Sequence, residues 1–164
     1  MVSIWSCISG LLAPGKGTST VIRIIAVGRM KDRNLGQLAE AYLQRARGMA
    51  RLELREIKDS RPDREDREIT ALLGSDQGSR IVVALDEHGE DLDSLSLARL
   101  LGAHGSVTFV IGGPDGLGPG TRERADRFLR LSSLTLTHEM ARVLLLEQVY
   151  RGLTILAGKP YHRA

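Results

Sequence analysis

A chain of 164 residues with 42% apolar content suits one soluble globular domain with a sizeable core. Its single cysteine, Cys7, excludes an internal disulfide and a cysteine-based zinc site, and it fits a reducing cytoplasm. The net charge of +3 is uneven: from Pro119 onward eight basic residues (Arg122, Arg124, Arg127, Arg130, Arg142, Arg151, Lys159, Arg163) face four acidic ones (Glu123, Asp126, Glu139, Glu147). That end suits a polyanionic substrate, with a solvated helix face as the plainer reading.

The first twenty residues differ from the rest. Ile4–Ala13 is apolar and Pro14–Thr20 is a Gly/Lys/Ser/Thr linker. The run is too short to span a bilayer and lacks the basic start of a secretory signal. Residues 1–20 therefore read as a disordered extension, and 21–164 as the folded domain. Val21–Val27 is a β-rich run closed by Gly28, which predicts a strand. Leu35–Met49 predicts a helix with Leu38, Ala39, Tyr42 and Ala46 on one face. Leu52, Leu54 and Ile57 predict a half-exposed strand; Ser60–Asp66 is a charged turn leading to a short helix at Arg67–Leu73. Ile81–Leu85 and Val107–Ile111 are apolar runs typical of strands buried on both faces, with a helix at Leu92–Leu101 between them. Beyond the glycine loop Gly112–Gly120 come a predicted helix at Thr121–Leu129 and a strand-like run at Leu131–Leu136. The longest helix is Met140–Leu156, and Pro160 keeps the tail out of it. Its apolar stripe is wide enough to suggest packing on a second subunit as well as the core. Strands alternating with helices predict an α/β domain with a mostly parallel sheet.

Two glycine-bearing stretches invite a ligand. Gly10-Leu-Leu-Ala-Pro-Gly15-Lys16 nearly spells a phosphate loop, but Gly17 stands where a magnesium-binding hydroxyl is needed. Gly112-Gly113-Pro114-Asp115-Gly116-Leu117-Gly118 follows a buried strand, where open α/β sheets bind ligands. Its spacing is not that of a dinucleotide fingerprint, and Pro114 has no N–H for a pyrophosphate. By itself it is also compatible with a plain tight turn. His88 and His104 read as loop residues without assignment, and no cluster has metal-ligand spacing.

Four ordered blocks carry a more specific signal. VTFVIGGPDGLG (Val107–Gly118), LSSLTLTHEMAR (Leu131–Arg142), LEQVYR (Leu146–Arg151) and the terminal Pro160-Tyr161-His162-Arg163 resemble the RlmH family of SPOUT methyltransferases. Ile24-Ile25-Ala26-Val27-Gly28 resembles its first strand, so the likeness runs from about Val21 to Ala164. Thr137 departs from the family, which usually has proline there, and this puts the conformation of that loop in question.

The resemblance implies an α/β sheet with a C-terminal trefoil knot, a homodimer, and methylation of N3 of a pseudouridine in 23S rRNA, in assembled 70S ribosomes. S-adenosylmethionine (SAM) would sit in a pocket lined by Leu85, Gly112 and Leu131, Ser132, Ser133, Leu134, Thr135 and Leu136. Gly113 and Gly116 would let the backbone approach closely. Arg142 would orient or stabilise the target base, and His138 would accept its proton. Tyr161, His162 and Arg163 would form a substrate-side tail that completes the partner's site. Each has a plainer role open: Leu85 in the core, Arg142 in a helix salt bridge, His138 at a helix start. Two other functions stay in play, methylation of another RNA such as tRNA, and non-catalytic ribosome binding.

Overall fold

The computed structural model describes residues 20–74 and 80–162. The extension at 1–19, with its near phosphate loop and Cys7, lies outside the described residues, as does Arg163. Five strands and five helices follow in order: β1 (Val21–Val27), α1 (Arg33–Arg47), β2 (Arg51–Ile57), α2 (Pro62–Gly74), β3 (Arg80–Asp91), α3 (Ser94–Ala103), β4 (Ser106–Ile111), α4 (Pro119–Arg124), β5 (Arg127–Arg130) and α5 (His138–Leu156). The sheet runs β2-β1-β4-β3-β5, and all four pairings are parallel.

Alternation along β1 sets up two cores. Ile22, Ile24 and Ala26 pack with Leu43 of α1, Leu101 of α3 and Leu146 of α5, whereas Ile25 and Val27 pack with Ile69 and Leu73 of α2. The result is three layers: α1, α3 and α5 on one face, α2 and α4 on the other. Fully burying Phe109 or Leu145 stabilises by roughly 2–3 kcal/mol each. α5 packs its apolar residues against α1, α3 and the sheet.

Four expectations need correction. The predicted helix at Thr121–Leu129 stops at Arg124, and the chain turns into β5 instead. Asp126 decides this: its N–H donates to the Val82 carbonyl at 2.9 Å and its carboxylate accepts from the Val82 N–H at 2.7 Å, which seeds the pairing with β3. β3 runs on past Leu85 to Asp91, because Glu90 and Asp91 pair with β5 beyond a register shift and bind Arg127 and Arg130. The strand-like run Leu131–Leu136 forms no strand; it crosses the strand ends as irregular chain, with Ser132 Oγ accepting from the Leu134 N–H at 2.9 Å. The helix at Arg67–Leu73 also starts earlier than expected, at Pro62, where proline favours a first turn.

Candidate functional site at the strand ends

Parallel strands deliver their following loops to one edge, and there the structure forms a cavity of about 630 Å³. The glycine loop after β4 makes one wall. The Gly116 N–H bonds the Gly113 carbonyl at 3.0 Å, and Gly116 takes φ 80°, which favours glycine. A Cβ on Gly112 would lie 2.8 Å from the Gly116 carbonyl oxygen, so a side chain there would force this turn apart. The opposite wall is the segment from Leu131 to His138, and Leu85 with Asp86 closes the side at β3.

Of the expected cofactor residues, Leu85, Gly112, Leu131, Ser132, Leu134, Thr135 and Leu136 line the cavity; Ser133 is exposed and does not. Leu134 is 75% exposed, unusual for a leucine in so short a loop. Thr137 caps α5, its hydroxyl accepting from the Met140 N–H at 3.3 Å. Its φ of −65° is the value proline would impose, so the backbone here already has the geometry proline would fix.

His138 opens α5 and lines the cavity. Behind it Gly28 adopts φ 82°, and a Cβ at Gly28 would come 3.3 Å from His138 Nε2. Arg142, one helical turn on, does not reach the cavity. Its side chain is fully buried and bonds Glu56 Oε1 at 2.6 Å and the Gly28 carbonyl at 2.7 Å, with the Val27 carbonyl at 3.4 Å. It clamps the ends of β1 and β2 to α5. Its Nε has no hydrogen-bond partner.

The tail is far from this site in the same chain. A helix of 19 residues spans roughly 28 Å, and the tail follows its far end. There Tyr161 packs edge-on against Tyr150 at 4.8 Å, under the Arg151 guanidinium at 4.8 Å, and donates to Glu147 Oε1 at 3.1 Å. Arg151 also pairs with Glu147 at 2.5 Å and approaches His162 Nδ1 at 3.5 Å. Burial, with hydrogen bonding to Tyr42 and Glu147, pushes the Tyr161 phenol well above its ordinary range.

Similarity to known proteins shows the family. A family model described as "Predicted SPOUT methyltransferase" matches residues 20–162. Proteins named ribosomal RNA large subunit methyltransferase H are similar to most of the chain. The one from Bradyrhizobium diazoefficiens is 42% identical over 158 residues, covering 87% of this chain and 99% of that protein. The one from Synechococcus sp. (strain RCC307) is 43% identical over 145 residues, covering 87% and 95%.

The chain belongs to the SPOUT methyltransferases, in the RlmH family.

Among solved structures, the SpoU methyltransferase AviRb from Streptomyces viridochromogenes, in complex with AdoMet, matches with TM-score 0.46 and 14% identity. That match covers 84% of this RlmH-family chain and 59% of the AviRb chain.

Asp86, unremarked in the sequence, also lines this methyltransferase's cavity, as do Arg122 and Arg130 of the basic segment and His88, which lies in β3 and not in the expected loop. Asp86 follows directly on the apolar run Ile81–Leu85, and a carboxylate at the end of that run was the available signal. Burial opposes ionisation of Asp86, but the His88 N–H and the Arg122 guanidinium outweigh it and hold the carboxyl below its ordinary value. The positive charge expected of the C-terminal segment is largely offset. Five of its seven described cations are ion-paired: Arg122 with Asp86, Arg127 with Glu90, Arg130 with Asp91, Arg142 with Glu56 and Arg151 with Glu147. Acids from elsewhere in the chain supply most of these partners, which composition by segment does not reveal.

Proposed function

We infer that this methyltransferase moves a methyl group from SAM to N3 of a pseudouridine in 23S rRNA, working as a knotted homodimer on assembled 70S ribosomes in the cytoplasm. The observation that carries the reading is the meeting of the Gly112 loop and the Leu131–His138 segment on one cavity, in a chain that is RlmH-like over nearly its whole described length. The cavity has the size and lining such a cofactor needs, with Leu85, Ile111, Leu131 and Leu136 as apolar surface and bare backbone at Gly112. Leu85, Gly112 and the residues from Leu131 to Leu136 would hold it. SAM supplies a methyl on a positively charged sulfur.

The protein's part is to position the base and manage one proton. N3 of a uracil-type ring carries a hydrogen at neutral pH, and it must leave as the N–C bond forms. His138, on the cavity wall, is the acceptor in this reading. Arg142 acts through it: by holding the Gly28 carbonyl it fixes the turn that backs the imidazole, which makes it a positioning residue. Tyr161, His162 and Arg163 serve the partner's site, since the length of α5 separates Tyr161 and His162 from the cavity of their own chain. Tyr161, kept protonated, donates a hydrogen bond or stacks on the base, and Arg163 binds phosphate. A trefoil knot would accommodate the path from β5, at the sheet's edge, across the strand ends to α5 between α1 and α3.

Labelled SAM and 70S ribosomes lacking the modification provide the test. Label on N3 of a pseudouridine is the expected result. Label on tRNA with none on 70S ribosomes would move the substrate elsewhere and leave the enzyme class standing. SAM binding and ribosome binding without transfer to any RNA would favour a non-catalytic ribosome-binding protein.

A further inference from the structure

Five of the seven described cations of the C-terminal segment are already paired, which turns attention to cations elsewhere in the chain. The strand registers identify the place. Val27 pairs with Ile57, and Ala26 with Ile111, so the residues just beyond β1, β2 and β4 stand side by side: Gly28-Arg29, Lys58 and Gly112-Gly113. A Cβ at Gly113 would lie 3.1 Å from Val27 Cγ1, which brings the glycine wall of the cavity against the end of β1.

The β1–α1 loop carries Arg29 and Lys31, and Arg33 opens α1; all three are exposed, and Lys58 is exposed beside them. None of the four is ion-paired, whereas Arg122, Arg127, Arg130, Arg142 and Arg151 are. The acids near the loop are engaged by backbone. Asp32 caps α1, accepting from the Asn34 and Leu35 N–H groups at 2.8 and 2.9 Å. Glu139 accepts from the Lys31 and Asp32 N–H groups at 3.1 and 3.0 Å. Asp59 is exposed, and Glu56 holds Arg142. The two Glu139 bonds tie the loop to the first turn of α5, next to His138 on the cavity wall. The loop is thus a braced backbone that exposes its cations to solvent next to the His138 wall of the cavity. Other cations without an ion pair, such as Arg45, Arg99 and Lys159, are scattered over α1, α3 and the tail.

We propose that this loop and the start of α1, through Arg29, Lys31 and Arg33 with Lys58 beside them, form the phosphate-binding surface on which the RNA docks so that its target base enters the adjoining cavity. The proposal rests on the RNA methyltransferase reading above. Backbone phosphates need no base-specific contact, only cations fixed at a set distance from the reacting base. Each phosphate contact releases about one counterion, so binding weakens steeply with salt.

The test compares wild type with Arg29→Ala/Lys31→Ala/Arg33→Ala. A control, Arg64→Ala/Arg67→Ala/Arg99→Ala, removes the same charge from α2 and α3. Methyl transfer to unmodified 70S ribosomes is measured against ribosome concentration at several monovalent salt concentrations, alongside SAM binding by the free protein. The loop variant should show a ribosome KM raised roughly tenfold or more, and a log KM against log salt slope reduced by about 2–3. Its SAM affinity and its kcat at saturating ribosomes should stay within twofold of wild type, and the control should match wild type throughout. A loop variant with unchanged KM and salt slope, or a control that loses as much, overturns the docking surface while the RNA methyltransferase reading stands. A wild type that neither binds nor methylates ribosomes removes that reading and the docking surface with it.

Discussion

The two ends of α5 are built for different tasks. At its start Thr137, His138 and Glu139 tie together the strand ends, the β1–α1 loop and the cavity, all within one chain. At its finish Tyr150, Arg151, Glu147, Tyr161 and His162 form a second cluster of aromatic and charged groups, a helix length from that cavity. One chain therefore supplies a complete cofactor-sized pocket, and the groups expected to face the substrate lie a helix length away. The difference teaches that a motif's members, close in sequence to the same helix, need not share a site in the same chain.

The largest effect that would break this comparison is a complementation result. Tyr161→Ala/His162→Ala should lower methyl transfer about 100-fold or more, as loss of substrate positioning does, with SAM binding preserved. Gly112→Leu should lose SAM binding. Mixed in equal amounts and allowed to exchange subunits, the two inactive proteins should regain roughly a quarter of the wild-type activity, because half of the dimers are mixed and each has one intact site. Activity that stays absent after demonstrated exchange would place the tail's action within its own chain.

Next in size is the clamp that holds the ends of β1 and β2 to the first turns of α5. Arg142→Ala leaves the Gly28 carbonyl and Glu56 without their partner and should destabilise the fold by about 3 kcal/mol, read by chemical denaturation. If Arg142 acts by positioning, Arg142→Lys should recover part of both stability and kcat, leaving the ribosome KM near wild type. Full stability with lost activity in Arg142→Ala would instead make it a residue that touches substrate.

A smaller effect concerns the cavity wall at β3. Because the Asp86 carboxyl titrates below its unfolded value of 3.8, its contribution to stability is fully present above that pH and is lost as pH falls through the lower folded value. The thermal-stability gap between wild type and Asp86→Asn should hold from neutral pH to about pH 5 and close below pH 3.8. A gap that is constant down to pH 2 would show that charge at Asp86 is not its source.

The smallest change sharpens the comparison at the start of α5. Thr137→Pro removes a cap bond, costing about 1 kcal/mol, and stiffens the unfolded chain at a φ that proline accepts, returning up to about 1 kcal/mol. Stability and SAM affinity should both remain near wild type in denaturation and calorimetry. A marked loss of SAM affinity would mean that the Thr137 hydroxyl shapes the pocket.

Much of the fold was legible from the residues alone. The apolar runs at Val21–Val27, Ile81–Leu85 and Val107–Ile111 fall on strands, because burial on both faces leaves a near-continuous apolar signature. The helix near Leu35–Met49 and the long C-terminal helix follow from their periodicity. The Gly112 loop and the Leu131–His138 segment were recognisable by their motifs, and they do meet on one cavity. What failed was β5: Arg127–Arg130 has two arginines in four residues and no strand-like run, and becomes a strand only because Asp126, Glu90 and Asp91 engage it from β3 and its start.

The sequence by itself determined the alternating α/β pattern, the family and the stretches that form the cavity, since these depend on local periodicity and on ordered motifs. The tertiary structure decided which charges remain free, where Arg142 goes and how far Tyr161 stands from His138. Those are set by contacts between residues distant along the chain, such as Arg142 with Glu56, Glu139 with the β1–α1 loop, and Arg122 with Asp86. No local pattern encodes a partner more than thirty residues away; only folding brings it within a hydrogen bond.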